Sequence, residues 1–245
     1  MNSIISRTIR ILNYLLKPVG AKIIGRSKDN FDMCSAIKRI HDHGILINNV
    51  IDIGGSNGIW SINAMKIFPF ASFVAIEPLV EREKSLRNLA QRFTNFSFEL
   101  CVAGETNGET AMLNISDDLD GSTINGCGGE LRQVPVKTID AIVSERSMDG
   151  TFLLKFDTHG YELPILKGAR HTLNKTSVLI IEAYNYQVSD NSLRFHEICA
   201  YLECLGFRCY DIADLMLREY DKSLWQMDLF FCRNDENIFK YPHYK

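Results

Sequence analysis

The chain has 245 residues, of which 46% are hydrophobic and 23% charged, a globular composition that excludes a disordered chain and allows one substantial core. A net charge of −3 gives no general attraction to nucleic acid, so no polynucleotide partner is expected. The cysteines at 34, 101, 127, 199, 204, 209 and 232 form neither a disulfide framework nor a zinc spacing and read as thiols of a reducing cytoplasm; no apolar run has transmembrane length and no signal peptide is recognisable.

Residues 3 to 16 place Ile5, Ile9, Leu12 and Leu16 on one helical face, and Lys17-Pro18 ends the segment. Arg7, Arg10, Lys17, Lys22, Arg26 and Lys28 all precede the first acid, Asp29. Such a basic amphipathic helix packs on its own domain or on a second copy in a homo-oligomer; peripheral membrane contact is the other option. A helix over about Asp32 to His43 closes at Gly44, giving a division into an amino-terminal helical appendage (1–44), a cofactor-binding domain (45–233) and a short tail (234–245).

A strand near 49 to 53 then runs into Asp52-Ile53-Gly54-Gly55-Ser56-Asn57-Gly58 and a helix over 57 to 68. Glycines at this junction let a ligand approach the backbone, and the helix start offers unpaired N–H groups. The spacing does not meet the Gly-x-Gly-x-x-Gly fingerprint of dinucleotide folds, and Asp52 would repel a pyrophosphate. An ammonium or a sulfonium would be favoured, and S-adenosylmethionine carries both. The next strand, 72 to 77, ends in Glu77, whose carboxylate can accept both ribose hydroxyls. Candidate cofactor residues are therefore Asp52, Gly54, Gly55, Ser56, Asn57, Gly58 and Glu77.

A helix over 79 to 92 and a strand over 96 to 102 continue the alternation. Residues 104 to 136 interrupt it with a hairpin insertion and a glycine-rich loop, Asp117 to Gly129. It resumes with strand 151–156, helix 161–173, strand 177–183, helix 192–205, strand 207–211 and strand 225–232. The pattern predicts an α/β domain, an open twisted sheet with ligands at the carboxyl ends of its strands.

The second informative segment is Leu153-Leu154-Lys155-Phe156-Asp157-Thr158-His159-Gly160-Tyr161-Glu162, a buried strand delivering polar residues before a helix whose first turn holds Pro164. Asp157 and His159 offer an acid and a base at the active edge, and Tyr161 and Glu162 read as helix-cap and loop-positioning residues. Here the chain resembles the FkbM-type methyltransferases, through IDIGGSNGIWS, AIEP, VPVKTID and LLKFDTHGYELPILKGA, over about residues 45 to 232.

The resemblance implies a class I, Rossmann-like S-adenosylmethionine-dependent fold: a seven-stranded, mostly parallel sheet with helices on both faces and an antiparallel last strand. It also implies methyl transfer to a hydroxyl of a sugar, a glycan precursor or a natural product. By the same resemblance Asp52, Gly54 and Gly58 hold the methionine moiety, Glu77 the ribose, and Asp157 stands at the acceptor edge. His159 departs from the family pattern, since many relatives have Glu or Gln there; it is either a base near neutral pH or a loop-holding residue. No metal is required, but Mg²⁺ held by Asp157, Glu182 and Asn185 is an alternative route to an activated hydroxyl. The competing functions are an NAD-dependent oxidoreductase and a methyltransferase-fold protein that binds without turnover.

Overall fold

The computed structural model describes Pro18 and residues 31–124, 129–190 and 192–244. The chain divides into two units, Met1–Phe31 and Asp32–Lys245. The basic helix expected over 3 to 16 lies outside the described residues, as does part of the glycine-rich loop, residues 125–128.

The second unit opens with α1 (Met33–Asp42), capped by the Asp32 carboxylate, which accepts the Ser35 N–H at 2.9 Å. Ala36, Ile37 and Ile40 of α1 are buried in the core of this unit, so the helix assigned from sequence to the appendage belongs to the second unit. There follow β1 (Asn49–Ile53), α2 (Ile59–Met65), β2 (Ser72–Ile76), α3 (Glu83–Arg92), β3 (Phe96–Glu99), β4 (Val102–Ala103), β5 (Thr110–Ile115), β6 (Glu130–Lys137) and α4 (Ile139–Glu145). The chain continues through β7 (Phe152–Phe156), α5 (Glu162–Lys167), α6 (Arg170–Leu173), β8 (Thr176–Tyr184), α7 (Phe195–Cys204), β9 (Phe207–Leu217) and β10 (Leu224–Arg233).

Seven strands form one sheet in the order β3-β2-β1-β7-β8-β10-β9. Pairings are parallel from β3 to β8, and β10 runs antiparallel to both β8 and β9. The order reverses between β1 and β7, which places a crevice at their carboxyl ends, where open α/β sheets bind ligands. Alternation along β1 sends Ile51 and Ile53 to one face and Val50 to the other, and the two faces carry separate cores. Phe152, Phe156 and Phe231 belong to the first, Phe73 and Phe230 to the second.

Two expected elements are divided. The strand read over 96 to 102 splits, because its partner β2 ends at Ile76, opposite Glu99. Beyond that point the chain turns to pair as β4 with β6 in a second sheet, β4-β6-β5, where β5 and β6 form the expected hairpin. The helix read over 161 to 173 breaks between Lys167 and Arg170, where a Cβ on Gly168 would overlap the carbonyl oxygen of Gly104. The second sheet adds its own apolar layer, Leu79, Val102, Leu113, Ile115, Val134 and Val136, beside the crevice. Among the described residues no helix is long and apolar enough to cross a membrane.

Candidate active site

A cavity of about 220 Å³ opens at the carboxyl ends of β1, β2 and β7. Gly54, Ser56 and Glu77 form one end, Asp157, Thr158 and His159 the other, and Leu79, Val102, Leu113, Leu119 and Ile124 line it between them. The inserted second sheet thus supplies the apolar wall that the parallel sheet lacks.

The glycine turn is held by backbone. The Gly54 and Gly55 N–H groups both donate to the Ile76 carbonyl, at 2.9 and 3.1 Å. Gly54 has φ +77, and a Cβ there would overlap the Asp157 carbonyl oxygen, so only glycine lets β1 and β7 turn past each other so closely. Ser56, with φ +45, donates its N–H to Glu77 Oε2 at 2.8 Å, and the Leu79 N–H donates to Oε1 at 2.9 Å. Burial raises the Glu77 carboxyl above its ordinary range while these N–H groups pull it back. Each carboxylate oxygen keeps lone-pair capacity for a ligand hydroxyl.

Not every residue of the motif reaches the cavity. Asp52 is fully buried on the sheet face opposite Ile51 and Ile53, accepts the Ser61 hydroxyl at 2.7 Å and lies 3.7 Å from Lys155 Nζ. Asp52, expected to contact the cofactor, does not line the cavity, because the two-residue period of the strand turns it to the other face. Gly55 packs on Ala75, Gly58 packs on Leu89 of α3, and Asn57 accepts the Ile59 N–H at the start of α2. These three build the turn rather than the cavity wall.

Lys155, 5% exposed, stands beside Asp52 in the sheet and bonds Asp157 Oδ2 at 2.7 Å. Burial would raise the Asp157 carboxyl, but the charge and hydrogen bond of Lys155, with His159, outweigh it and hold it below the usual range. Asp52, farther from the ammonium, is pushed up by burial. A lone lysine inside a buried apolar run was the sequence signal for this pair, and it was missed.

His159, with φ +48, sits between a loop and a side-chain network. Its Nε2 lies 2.9 Å from the Asp120 carbonyl, and its Nδ1 lies 2.8 Å from the Tyr184 hydroxyl oxygen and 3.2 Å from Glu182 Oε2. Tyr184 donates its hydrogen to Glu182 at 2.6 Å, and Gln226 donates to the other oxygen of Glu182. The Asp120 carbonyl only accepts, so Nε2 donates to it, and while Tyr184 donates to Glu182 the Nδ1 side faces two acceptor oxygens and favours a second ring N–H. Burial would lower the His159 pKa, but Glu182, Asp157 and the Asp120 carbonyl outweigh it and raise it to about 9. A ring held protonated in this way favours the loop-holding role over the base role.

Asp157, His159 and Glu182 each bring one ligand atom within 4.8 Å of the others, the set on which a divalent ion could draw. Asn185, expected in that set, instead donates its amide to the Leu224 carbonyl at 3.3 Å. Beyond His159 the edge continues into an aromatic group: Trp225 meets Tyr184 edge-on and stacks on Tyr186 at 5.5 Å. Tyr184, Arg82 and Asp120 are site residues that no local motif announced.

A family model described as the methyltransferase FkbM domain matches residues 52–209, and the chain belongs to this family. No curated protein matches it. Among solved structures it is similar to methyltransferase FkbM from Methylobacillus flagellatus KT, at 21% identity and a TM-score of 0.48, over 76% of this chain and 45% of that one. The chain thus spans less than half the length of that protein. It is also similar to 1,6-didemethyltoxoflavin-N1-methyltransferase from Burkholderia thailandensis, solved with bound S-adenosylhomocysteine (14% identity, TM-score 0.47, 82% of this chain and 78% of that one). A third is the magnesium protoporphyrin IX methyltransferase from Synechocystis PCC 6803 with bound SAM (13%, 0.45, 81% and 76%).

Proposed function

We propose that this chain binds S-adenosylmethionine and methylates a hydroxyl of a sugar, a glycan precursor or a natural product. The observation that carries the reading is the make-up of the cavity: a buried carboxylate, Glu77, at one end, an ionised carboxylate, Asp157, at the other, and an apolar slot between them. An adenosyl group needs such a slot for its base and an acceptor for its ribose hydroxyls; Leu79, Val102 and Leu113 would hold the first and Glu77 the second. No lysine or arginine lines the cavity among the described residues, which suits a sulfonium and leaves a dinucleotide's pyrophosphate without a partner. When bound, S-adenosylmethionine supplies a methyl group activated on a sulfonium.

This chain's residues contribute chiefly orientation, which for an in-line displacement is the larger share of the barrier reduction. Asp157, kept ionised by Lys155, offers Oδ1 to an acceptor hydroxyl and favours the positive charge of the donor. The aromatic group at Tyr184, Trp225 and Tyr186, with Glu182 and Gln226, pairs flat apolar faces with hydrogen-bonding groups, which suits a polyhydroxylated ring.

Calorimetric titration with S-adenosylmethionine, with NAD and the Glu77→Ala protein as controls, tests the reading. Saturable binding that weakens about 100-fold or more in Glu77→Ala is expected, as when a buried acceptor is removed. Binding of NAD instead would overturn it. Tight binding without methyl transfer to any of a panel of sugar and polyketide hydroxyls would favour a binding protein.

A further inference from the structure

We propose that His159 is a positioning residue that latches the segment Ser116–Ile124 over the cavity by donating a hydrogen bond to the carbonyl of Asp120. The proposal rests on the methyltransferase reading for what the cavity holds, but the latch acts whether or not a ligand is present.

Ser116–Ile124 is a compact strap with its own internal bonding. Its ends are joined by the paired backbone bonds of Asn114 and Thr123, at 2.9 and 3.0 Å. Inside it, Asp118 accepts from the Ser116 hydroxyl and the Gly121 N–H, and the Ser122 hydroxyl meets the Ser116 N–H at 3.1 Å. The strap is thus cross-linked within itself and presents Leu119, Thr123 and Ile124 to the cavity.

Among the described residues, the hydrogen bonds that tie this piece to the parallel-sheet body all end on Asp120. Its carboxylate accepts from the Ser56 hydroxyl at 3.1 Å and from Arg82 at 2.5 Å. Its carbonyl takes His159 Nε2 at 2.9 Å. Three strand ends, those of β1, β2 and β7, thus converge on one strap residue. The carboxylate is 71% exposed, so its bond to Arg82 competes with water, whereas His159 is only 28% exposed and is braced from behind by Tyr184 and Glu182. A left-handed backbone at His159 costs on the order of 1 kcal/mol or more. From that position the ring reaches the strap at the Asp120 carbonyl.

Hydrogen exchange of the full chain without ligand, read by mass spectrometry over residues 116–124, tests the latch. His159→Ala should speed strap exchange about tenfold, the low end for losing a hydrogen bond to a charged group, and leave α1 and α3 unchanged. His159→Gln can still donate to the Asp120 carbonyl but cannot serve as a base, and should return exchange to within about threefold of wild type. Strap exchange in His159→Ala equal to wild type, or His159→Gln as fast as His159→Ala, would overturn the proposal.

Should His159→Ala fail to fold, wild-type protein labelled with ¹⁵N at histidine answers the same question. A slowly exchanging Nε2–H from His159 supports the latch, and one exchanging as fast as a ring N–H of exposed His41 refutes it. In protein that binds S-adenosylhomocysteine, dissociation followed by Trp60 and Trp225 fluorescence should also quicken about tenfold in His159→Ala, since a loosened strap shortens residence. Protein that binds neither cofactor form would sink the methyltransferase reading, while the ligand-free exchange would still decide the latch.

Discussion

The two ends of the cavity are made of different material. At the glycine turn, Glu77 is held by the backbone N–H groups of Ser56 and Leu79. At the acceptor edge, Asp157, His159 and Glu182 are held by other side chains, Lys155, Tyr184 and Gln226, drawn from β7, β8 and β10. The first end is insensitive to most distant substitutions, because main-chain donors come with any residue that keeps the turn. The second depends on charge balance among groups far apart in sequence, and a single change there unbalances the rest.

That contrast breaks most visibly at Lys155. Lys155→Met should cost about 3–5 kcal/mol in a urea melt, because it leaves two carboxylates, one fully buried, without their cation. A loss below about 1 kcal/mol would mean that the acceptor edge does not rest on charge. Gly54→Ala, at the junction of the two ends, should cost about 2–3 kcal/mol through its positive φ and its overlap with the Asp157 carbonyl. The same variant should lose cofactor binding in the calorimeter, and full retention of both properties would show that the turn can relax.

The pH dependence sharpens the comparison, because in the neutral-to-alkaline range the titration falls at the acceptor edge. His159 is raised to about 9 from 6.5. Its stabilisation, on the order of 2 kcal/mol, should be fully present below about pH 6.5 and fade as pH rises through about 9. Urea melts of wild type and His159→Gln should therefore differ most below about pH 6.5 and converge at about pH 10; a constant gap would contradict a charged ring. The smallest effect is expected at Asp228, which lies across from Glu182 and whose carboxyl is raised to about 7 by burial and by Glu182 and Asp157. Its stabilisation, present below the unfolded pKa, is lost as pH passes through about 7, so Asp228→Asn should gain about 1 kcal/mol at about pH 8 and nothing at about pH 4.

The same division explains what the sequence made legible. β1 and the glycine turn are written in consecutive residues and Glu77 directly follows the next strand, so their places followed from strand periodicity and turn chemistry. Alternation also implied that Asp52 faces away from Ile51 and Ile53, but not which face carries the cavity; only the sheet order decides that. The split of β3 from β4 depended on the length of a partner strand, and the ties from Ser56, Arg82 and His159 to Asp120 join positions up to 64 residues apart. No window of sequence contains them. The fold and the glycine turn that leads into the cavity were therefore readable, whereas the far end of the cavity showed Asp157 and His159 without the Lys155, Tyr184 and Asp120 contacts that set what they can do.

The second sheet begins and ends at one place, since the Gly104 N–H bonds the Lys137 carbonyl and the Gly108 N–H bonds the Val136 carbonyl. A segment whose two ends already meet behaves as a cassette: lengthening its interior adds little closure entropy and leaves the seven-stranded body in register. Residues 104 to 137 could therefore be transplanted between relatives as a unit, carrying the strap and the part of the cavity wall that Leu113, Leu119 and Ile124 form, and letting binding preference be rebuilt without redesigning the sheet beneath.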